Sequence, residues 1–546
     1  MANKVIKRPK RVSDPRPAIH AALGAGDIPR AARHAMAAHA AGFADPLVLN
    51  LVAWRREEDG DFTGAHALLR QALALAPGDV TIMGSIGAVL RKEGRPDEAL
   101  AVLDRVVAME PRHVAAWLER GYVLDDLREE RAAAESYRRA LALDPRLAPA
   151  LGKLADGAAR RGEAEQAQEL AQRALAIDPA EPLAIAALAT LANEARDGAR
   201  AEALLRPLLT RPLKPEDRTR ALTLLGDALD RQDRTADAFA TWGEAQASFR
   251  AAHASLLAPG PSRPSHRDFI DAIARRIEAD GPLAALPAVA PVAGEAARHI
   301  FLLGYPRSGT TLVENVLASA AGVVALEERD TLRDADEALV ANDGAMPPLD
   351  ALDPALVTRL RAAYWARVAA LGAAVEGRTF VDMNPFNGIK LPVIARLFPN
   401  ARIVIMRRDP RDVLLSCYRI NFTPSPAAWA FSELEEAARH YDALMRLIEA
   451  ARANLPLAYH ELRYDRLVSD FEATVRDLAS FVGLPWSDDF RRFDRTAQAR
   501  GVRTASATQV RRGLYDGRGQ WRRYAAELAP ALPIVAPWVE RFGFPA

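Results

Sequence analysis

The sequence has a single cysteine and almost no net charge, and each of these features excludes certain kinds of site or partner. Cys417 has no partner within the chain, which excludes an intramolecular disulfide and a cysteine-rich zinc site. A formal net charge of +1 over 546 residues gives the whole molecule no electrostatic drive toward nucleic acid or an anionic membrane. A lone cysteine is also consistent with a reducing compartment.

Long apolar runs are absent as well. No segment has 18 uninterrupted apolar residues, which is about the length that crosses a bilayer. Residues 1–14 are basic and polar, without the apolar core of a signal peptide. We therefore expect a soluble, cytoplasmic protein with a basic flexible tail at residues 1–14, and no membrane or nucleic-acid partner.

The first half of the chain contains a repeat with a period of 34 residues. The period is set by a proline at the end of four similar segments, and these prolines are Pro77, Pro111, Pro145 and Pro179. Small residues such as Gly87 and Gly121 recur at the same interval. A period of this length is typical of tetratricopeptide repeats, whose helix pairs stack into a superhelix with a concave groove. We assign residues 15–257 to this array. Its groove favours a protein or peptide ligand, and a spacer or a dimerisation arm is the alternative.

The second half alternates strands and helices. Residues 258–297 are rich in proline and form the predicted connector between the two halves. From residue 298 to 546, apolar strands are each followed by helical segments, and these strands are Ile300–Leu303, Thr379–Val381 and Arg402–Met406. This order predicts a mostly parallel sheet with helices on both faces and with ligands at the carboxyl ends of the strands.

The first of these strands leads into the turn GYPRSGTT, residues 304–311. A strand, a glycine-rich turn and a helix in this order point backbone N–H groups and the positive helix end at one place, which favours phosphate. Gly304 and Gly309 have the spacing of a nucleotide-triphosphate P-loop, but Thr310 stands where that motif requires lysine, which argues against an NTPase. The predicted phosphate ligands in this loop are Arg307, Ser308, Gly309, Thr310 and Thr311.

Two features of the chain are found together in a known family: the motif PRSGTTL, residues 306–312, and Glu328, which follows the arginine of that motif by 21 residues. In both, the chain resembles the sulfotransferases that use 3′-phosphoadenosine 5′-phosphosulfate, most closely the protein-tyrosine sulfotransferase branch. The resemblance implies a P-loop-like α/β domain, 3′-phosphoadenosine 5′-phosphosulfate as co-substrate, and no required metal. It also implies that Glu328 is the general base for the acceptor hydroxyl and that Arg307 stabilises charge on the transferred group. A surface position for Glu327 and Glu328 at the start of the next helix is the alternative.

The resemblance further implies how the rest of the nucleotide is held. Arg408, at the end of a strand, and Ser416, on the next helix, match the pair that binds the 3′-phosphate, and arginine suits phosphate because it presents a fork of donors. A solvated cluster of Arg407, Arg408 and Arg411 is the alternative. Tyr464 matches a tyrosine beside the nucleotide, although it is equally explained as a core tyrosine.

A basic, glycine-containing segment at residues 504–524 resembles the flap that folds over the nucleotide in this family. Its implied contacts are Ser506, Gln509 and Arg511. Such a segment would otherwise suggest RNA, but the stacking aromatic residues that nucleic-acid binders use are sparse in it.

One position departs from the family. A lysine that contacts the leaving group is expected before the proline of the strand-end motif, where this chain has Met383. Lys390 is the only lysine after Lys214, and it reaches back only if its helix points toward the site. Asn384 supplies no more than a neutral hydrogen bond in place of the lysine.

These observations predict an all-α tetratricopeptide superhelix followed by a sulfotransferase domain. The predicted reaction moves a sulfuryl group from 3′-phosphoadenosine 5′-phosphosulfate to an acceptor hydroxyl, with a protein tyrosine as one candidate acceptor. The alternative is a non-catalytic repeat scaffold whose nucleotide-binding transferase domain has decayed, and a P-loop kinase or NTPase is a further rival. A homodimer is one candidate assembly.

Overall fold

A computed structural model of the chain describes residues 14–127, 129–261, 263–500 and 513–545. The chain forms two compact units: the first reaches Ala187, and the second begins at Leu188 and also includes Arg160–Gly162. Among the described helices, none combines the length and the apolar character needed to cross a bilayer.

In the described part of the chain, helices α1 to α15 precede the first strand. Their bounds are α1 Arg16–Gly24, α2 Ile28–Ala40, α3 Pro46–Glu58, α4 Phe62–Leu75, α5 Val80–Lys92, α6 Pro96–Met109, α7 Val114–Asp126, α8 Glu130–Leu143, α9 Ala148–Arg161, α10 Ala164–Ile177, α11 Pro182–Glu194, α12 Gly198–Leu209, α13 Pro215–Asp230, α14 Thr235–Leu257 and α15 His266–Asp280. The repeat period explains this regularity, because Pro77 lies between α4 and α5 and Pro111 lies between α6 and α7. After the first of these turns, the Asp79 side chain caps α5 by accepting from the N–H groups of Thr81 and Ile82.

The helices of a pair approach closely wherever a glycine of the first faces a large side chain of the second. The pairs are Gly87 with Leu103, Gly121 with Tyr137, and Gly226 with Trp242, each separated by 16 residues. A Cβ atom built on these glycines would lie 2.6 Å from Leu103, 2.3 Å from Tyr137 and 2.3 Å from Trp242. The geometry of the repeat therefore recurs in α13 and α14, beyond the last of the four periodic prolines.

The second unit contains a five-stranded, all-parallel sheet. Its strands are β1 Arg298–Leu303, β2 Val323–Glu327, β3 Thr379–Met383, β4 Arg402–Arg407 and β5 Ala458–Arg463, in the order β2-β3-β1-β4-β5. After β1 the chain continues to β2 at one edge of the sheet, and after β4 it continues to β5 at the opposite edge. A crevice is expected between the carboxyl ends of two such strands, where parallel sheets bind ligands.

Both faces of the sheet are buried. In β1, Phe301 and Leu303 join one apolar core, whereas Ile300 and Leu302 join a second core on the opposite face. This two-residue alternation explains why the strands have continuous apolar runs. The predicted fold class, a helical-repeat superhelix followed by an α/β domain with a mostly parallel sheet, is confirmed.

Helices and short 3-10 turns surround the sheet. The helices are α16 Thr310–Ala318, α17 Arg333–Leu339, α18 Pro354–Ala370, α19 Leu391–Leu397, α20 Pro410–Tyr418, α21 Pro426–Phe431, α22 Leu434–Asn454, α23 Tyr464–Ser469, α24 Phe471–Val482, α25 Phe493–Arg500, α26 Ala525–Leu528 and α27 Leu532–Arg541. The 3-10 turns are Pro385–Gly388, Asp488–Arg492 and Gln520–Tyr524.

Substitutions at two glycines of α5 test whether the close approach of α5 and α6 requires glycine. Gly87→Ala is expected to lower the free energy of unfolding by about 1–3 kcal/mol, because the new methyl group overpacks against buried Leu103. Gly84→Ala is the matched control: its Cβ would lie 3.9 Å from the nearest atom, so better helix propensity should raise stability by up to about 1 kcal/mol. Denaturant midpoints followed by circular dichroism measure both, and equal shifts in the same direction would contradict the packing account.

Candidate functional site

The loop between β1 and α16 has a conformation that depends on two glycines. A Cβ atom on Gly304 would lie 2.8 Å from the carbonyl oxygen of Met406, at the end of β4. Gly309 has a φ of +108°, and a Cβ there would lie 2.9 Å from the ring of Tyr464. The loop therefore packs directly against the carboxyl end of β4, and no side chain fits at either position.

Arg307 lies at the centre of this loop with a left-handed φ of +70°, a conformation that non-glycine residues rarely adopt. Its Nε donates to Ser416 Oγ at 3.1 Å. Burial, together with the neighbouring cations Arg419 and Arg408, lowers the pKa of Arg307 to about 10. The guanidinium is thus still protonated at neutral pH, in surroundings that favour an anion.

Arg408 follows β4 and reaches the same place. Its Nη1 donates to the carbonyl oxygen of Arg307 at 2.9 Å, and its Nη2 donates to that of Gly517 at 2.7 Å. Its guanidinium lies over the ring of Tyr464, 4.8 Å from the centroid, and the Tyr464 hydroxyl donates to the carbonyl oxygen of Tyr515 at 2.6 Å. One pocket is lined by Arg307, Gly309, Leu312, Arg408, Ser416, Arg419, Tyr464, Gly513, Tyr515 and Gln520.

Several polar groups of this site are ready for an anionic ligand. Ser308 Oγ and Arg408 Nε are buried without a hydrogen-bond partner in the described ranges. Thr310 and Thr311 are buried in the first turn of α16, where backbone N–H groups have no intrahelical acceptor. A ligand with more than one phosphate group suits this site, which offers two cations, an unpartnered hydroxyl group, an unpartnered guanidinium N–H and a helix N-terminus.

The neighbouring arginines have different roles. Arg407 is buried and forms ion pairs with Glu449 at 2.5 Å and Glu461 at 2.8 Å. Arg411 is also buried, paired with Asp409 at 2.8 Å. Arg408 has no carboxylate partner among the described residues and donates to backbone carbonyls instead. The alternative of a solvated cluster of Arg407, Arg408 and Arg411 is therefore wrong, since two of the three are buried in ion pairs and, of the three, only Arg408 lines the pocket.

Comparison with known proteins agrees with this geometry. Residues 299–488 match the model of a sulfotransferase family, and residues 57–121 and 114–147 match models of the tetratricopeptide repeat. The chain contains tetratricopeptide repeats and a sulfotransferase domain. These matches do not distinguish the protein-tyrosine branch, which stays a prediction.

Individual relatives align with part of the chain. An uncharacterized protein of Aquifex aeolicus is 32% identical over 248 residues, which is 44% of this chain and 32% of that protein. The omega-hydroxy-beta-dihydromenaquinone-9 sulfotransferases Stf3 of Mycobacterium bovis and Mycobacterium tuberculosis are 28% identical over 116 residues, 20% of this chain and 29% of each enzyme. The chain thus spans about a third of the length of the curated relatives it matches. A tetratricopeptide repeat protein from Parabacteroides merdae of known structure is 18% identical with a TM-score of 0.33, covering 43% of this chain and 91% of that one.

The predicted acids of the sulfotransferase domain lie at the end of β2. Glu327 ends the strand and is half-buried, whereas Glu328 is exposed and has a φ of +45°. The N–H of Glu328 donates to the carbonyl oxygen of Met383 at 2.7 Å. Glu328 is not among the residues that line the pocket, and its negative charge offsets only a small part of the lowering of the Arg307 pKa. The predicted contacts Ser506, Gln509 and Arg511 lie outside the described residues.

No lysine enters the described part of the pocket. Met383 is 0% exposed and belongs to the apolar core between the sheet and α16. Lys390 does not reach back: its Nζ forms ion pairs with Asp330 at 2.8 Å and Asp336 at 2.5 Å. The Asn384 side chain caps the next 3-10 turn by accepting from the Phe386 N–H at 3.0 Å. Met383 is thus a core residue here, and its neighbours do not replace the family lysine.

Five residues of the pocket lining were not identified from the sequence, and these are Leu312, Arg419, Gly513, Tyr515 and Gln520. Arg419 comes directly after α20 and follows Ser416 by three residues, about one helical turn, and this spacing was a usable signal. Gly513 and Tyr515 come from an irregular segment and Gln520 begins the 3-10 turn that follows it, so no periodicity marks the direction of their side chains. Within the described ranges, no group of three or more His, Cys, Asp or Glu side chains is arranged to hold a metal ion.

The burial of Met383 generates a test. Met383→Lys, which introduces the family residue, is expected to lower the free energy of unfolding by about 3–5 kcal/mol, because it places an unpaired ammonium group in an apolar core. Met109→Lys is the matched control, since Met109 is 52% exposed on α6 and should tolerate the charge. Thermal unfolding of both variants measures the difference. A stable Met383→Lys protein would show that the side chain of residue 383 has access to solvent or to the pocket.

Proposed function

We propose that the protein is a sulfotransferase that moves a sulfuryl group from 3′-phosphoadenosine 5′-phosphosulfate to an acceptor hydroxyl. The observation that carries the proposal is that Arg307 and Arg408 come from two strand ends and line one pocket, joined by a hydrogen bond. An ordinary nucleotide needs one phosphate site. A nucleoside with phosphate on both the 3′ and 5′ oxygens needs two.

The residues present fit this co-substrate. Arg307, the hydroxyls of Ser308, Thr310 and Thr311, and the first N–H groups of α16 would hold the 5′-phosphate end. Arg408 and Ser416 would hold the 3′-phosphate, with Tyr464 beside the nucleoside. The unpartnered Ser308 Oγ and Arg408 Nε support this assignment, because a phosphate oxygen would satisfy each of them.

When bound, the co-substrate would supply the activated sulfuryl group, and the side chains would orient it and balance its charge. Arg307 would stabilise negative charge on the transferred group and on the 5′-phosphate. Glu328 would take the proton of the acceptor hydroxyl, a role that typically contributes about 10²–10⁴-fold to the rate. The support for this role is the match of Glu328 to the family pattern, together with its minor electrostatic interaction with Arg307.

The remaining proposals concern the acceptor and its surroundings. The mycobacterial relatives are named for an omega-hydroxy acceptor, which supports a hydroxyl acceptor as a class. Tetratricopeptide repeats suggest that the array binds a protein or peptide, and we retain a protein tyrosine as one candidate acceptor. A cytoplasmic location is proposed on the sequence alone, and so is the possibility of a homodimer.

Calorimetry with 3′,5′-adenosine bisphosphate and ATP tests the nucleotide site. The bisphosphate is expected to bind with micromolar affinity and ATP much more weakly. Arg307→Ala should abolish binding, and Arg408→Ala should weaken it by about 10–100-fold, as expected for the loss of charge-assisted hydrogen bonds. Arg439→Ala, on the exposed face of α22, is the control and should bind normally. Equal affinity for the two nucleotides would contradict the proposal. Tight binding without transfer to any hydroxyl acceptor would instead support the non-catalytic scaffold.

A further inference from the structure

A second cavity, of about 550 Å³, lies beside the nucleotide pocket. Every residue that lines it belongs to the second compact unit. Four residues line both spaces, and these are Arg307, Arg419, Tyr515 and Gln520. A molecule in this cavity would therefore lie next to the loop arginine that we assign to the transferred group. Its volume is in the range of sites that hold small ligands.

Helices that precede the sulfotransferase domain form one wall of this cavity. Asn193 comes from the end of α11, and Asp227 and Asp230 come from α13. The wall is fixed to the domain, because Asp230 Oδ1 accepts from Arg523 at 2.8 Å and from the Tyr524 hydroxyl at 2.5 Å. The helix pair α13–α14, which has the close packing of a repeat, is thus part of the cavity structure.

Two groups of this wall are suited to accept hydrogen bonds from a ligand. Asn193 is 7% exposed, and its Nδ2 donates to the carbonyl oxygen of Leu224 at 3.0 Å while its Oδ1 is buried without a partner. Asp227 forms no ion pair among the described residues. Burial raises the pKa of its carboxyl to about 6, although the nearby Arg419 opposes this shift. A hydroxyl group of a ligand would donate a hydrogen bond to each of these two side chains.

The rest of the lining indicates the class of that ligand. Leu224 and Ile420 are the apolar residues of the lining, and the others are charged or carry hydrogen-bonding groups. An apolar acceptor would leave buried polar groups unsatisfied, at about 1–3 kcal/mol each. A strongly charged acceptor would meet both carboxylates, such as Glu194, and guanidinium groups, such as Arg231. A neutral molecule with several hydroxyl groups satisfies donors and acceptors together.

We propose that this cavity binds the acceptor, that the acceptor is a neutral polyhydroxylated molecule of the size of a mono- or disaccharide, and that Asp227 and Asn193 accept hydrogen bonds from its hydroxyls. The inference rests on the proposed function, since it takes sulfuryl transfer as given. Helices outside the sulfotransferase domain then contribute directly to acceptor specificity.

Binding of defined probes tests the acceptor class. The full chain is saturated with 3′,5′-adenosine bisphosphate and titrated with cellobiose, maltose, N,N′-diacetylchitobiose and an acidic tyrosine-containing peptide. At least one disaccharide should bind, and the peptide should not. In a separate assay without the bisphosphate, the same disaccharide should be labelled by 3′-phosphoadenosine 5′-phosphosulfate that carries labelled sulfur, and the peptide should not be labelled. Binding and labelling of the peptide alone, or binding of no disaccharide, would overturn the inference.

Variants test the wall itself. Asp227→Asn should weaken disaccharide binding and raise KM by about 10–100-fold, with kcat little changed, because it removes a charge-assisted hydrogen bond. Its affinity for the bisphosphate should be unchanged. Leu224→Trp should abolish disaccharide binding by filling the cavity. Asp237→Asn, exposed on α14, is the matched control and should behave as the unaltered protein.

The outcomes separate this inference from the function on which it rests. A protein that fails to bind the bisphosphate contradicts both. Normal bisphosphate binding without any disaccharide binding overturns the acceptor assignment alone. Unaltered disaccharide affinity in Asp227→Asn and Leu224→Trp would show that the sugar binds elsewhere and would also overturn it.

Discussion

The hydrogen bond from Arg408 Nη1 to the carbonyl oxygen of Arg307 is the interaction on which the site depends. It joins the loop after β1 to the start of the helix after β4, at the point where the chain leaves the sheet in opposite directions. It also stabilises Arg307 in a left-handed conformation that is costly by itself. The consequence is that two guanidinium groups share one pocket. The doubly phosphorylated ligand that we propose would relieve their mutual repulsion, which a neutral ligand would not do.

Much of this arrangement could be predicted from the sequence, because it depends on periodicity and on strand ends. The 34-residue period specified the helix pairs, and the apolar strands specified a parallel sheet whose carboxyl ends converge. Arg307, Arg408, Ser416 and Tyr464 therefore came together as expected. Their roles toward a nucleotide stay predictions. Periodicity and strand ends do not, however, predict the direction in which a side chain at or after the end of a strand points. Met383 belongs to the core and Lys390 is held by two carboxylates, and both facts depend on tertiary packing.

The cavity beside the pocket of Arg307 and Arg408 could not be predicted for a similar reason. Asp227 and Arg307 are distant in sequence, and no motif connects them. They line one cavity because α13 and α14 pack on the C-terminal domain, where the Trp242 and Tyr524 rings lie 5.5 Å apart. The end of the array predicted at residue 257 coincides with the end of α14, whereas the compact units divide between Ala187 and Leu188. Helices α13 and α14 thus continue the repeat geometry and also belong to the unit that contains the sulfotransferase domain.

A crystal structure of the chain with 3′,5′-adenosine bisphosphate tests the central claim most directly. The account predicts that the 5′-phosphate lies within hydrogen-bond distance of Arg307 and Ser308 and that the 3′-phosphate lies within hydrogen-bond distance of Arg408 and Ser416. One phosphate bound by both arginines, with the other in solvent, would contradict the claim that the two strand ends form two anion sites. A nucleotide bound outside the pocket would contradict it equally.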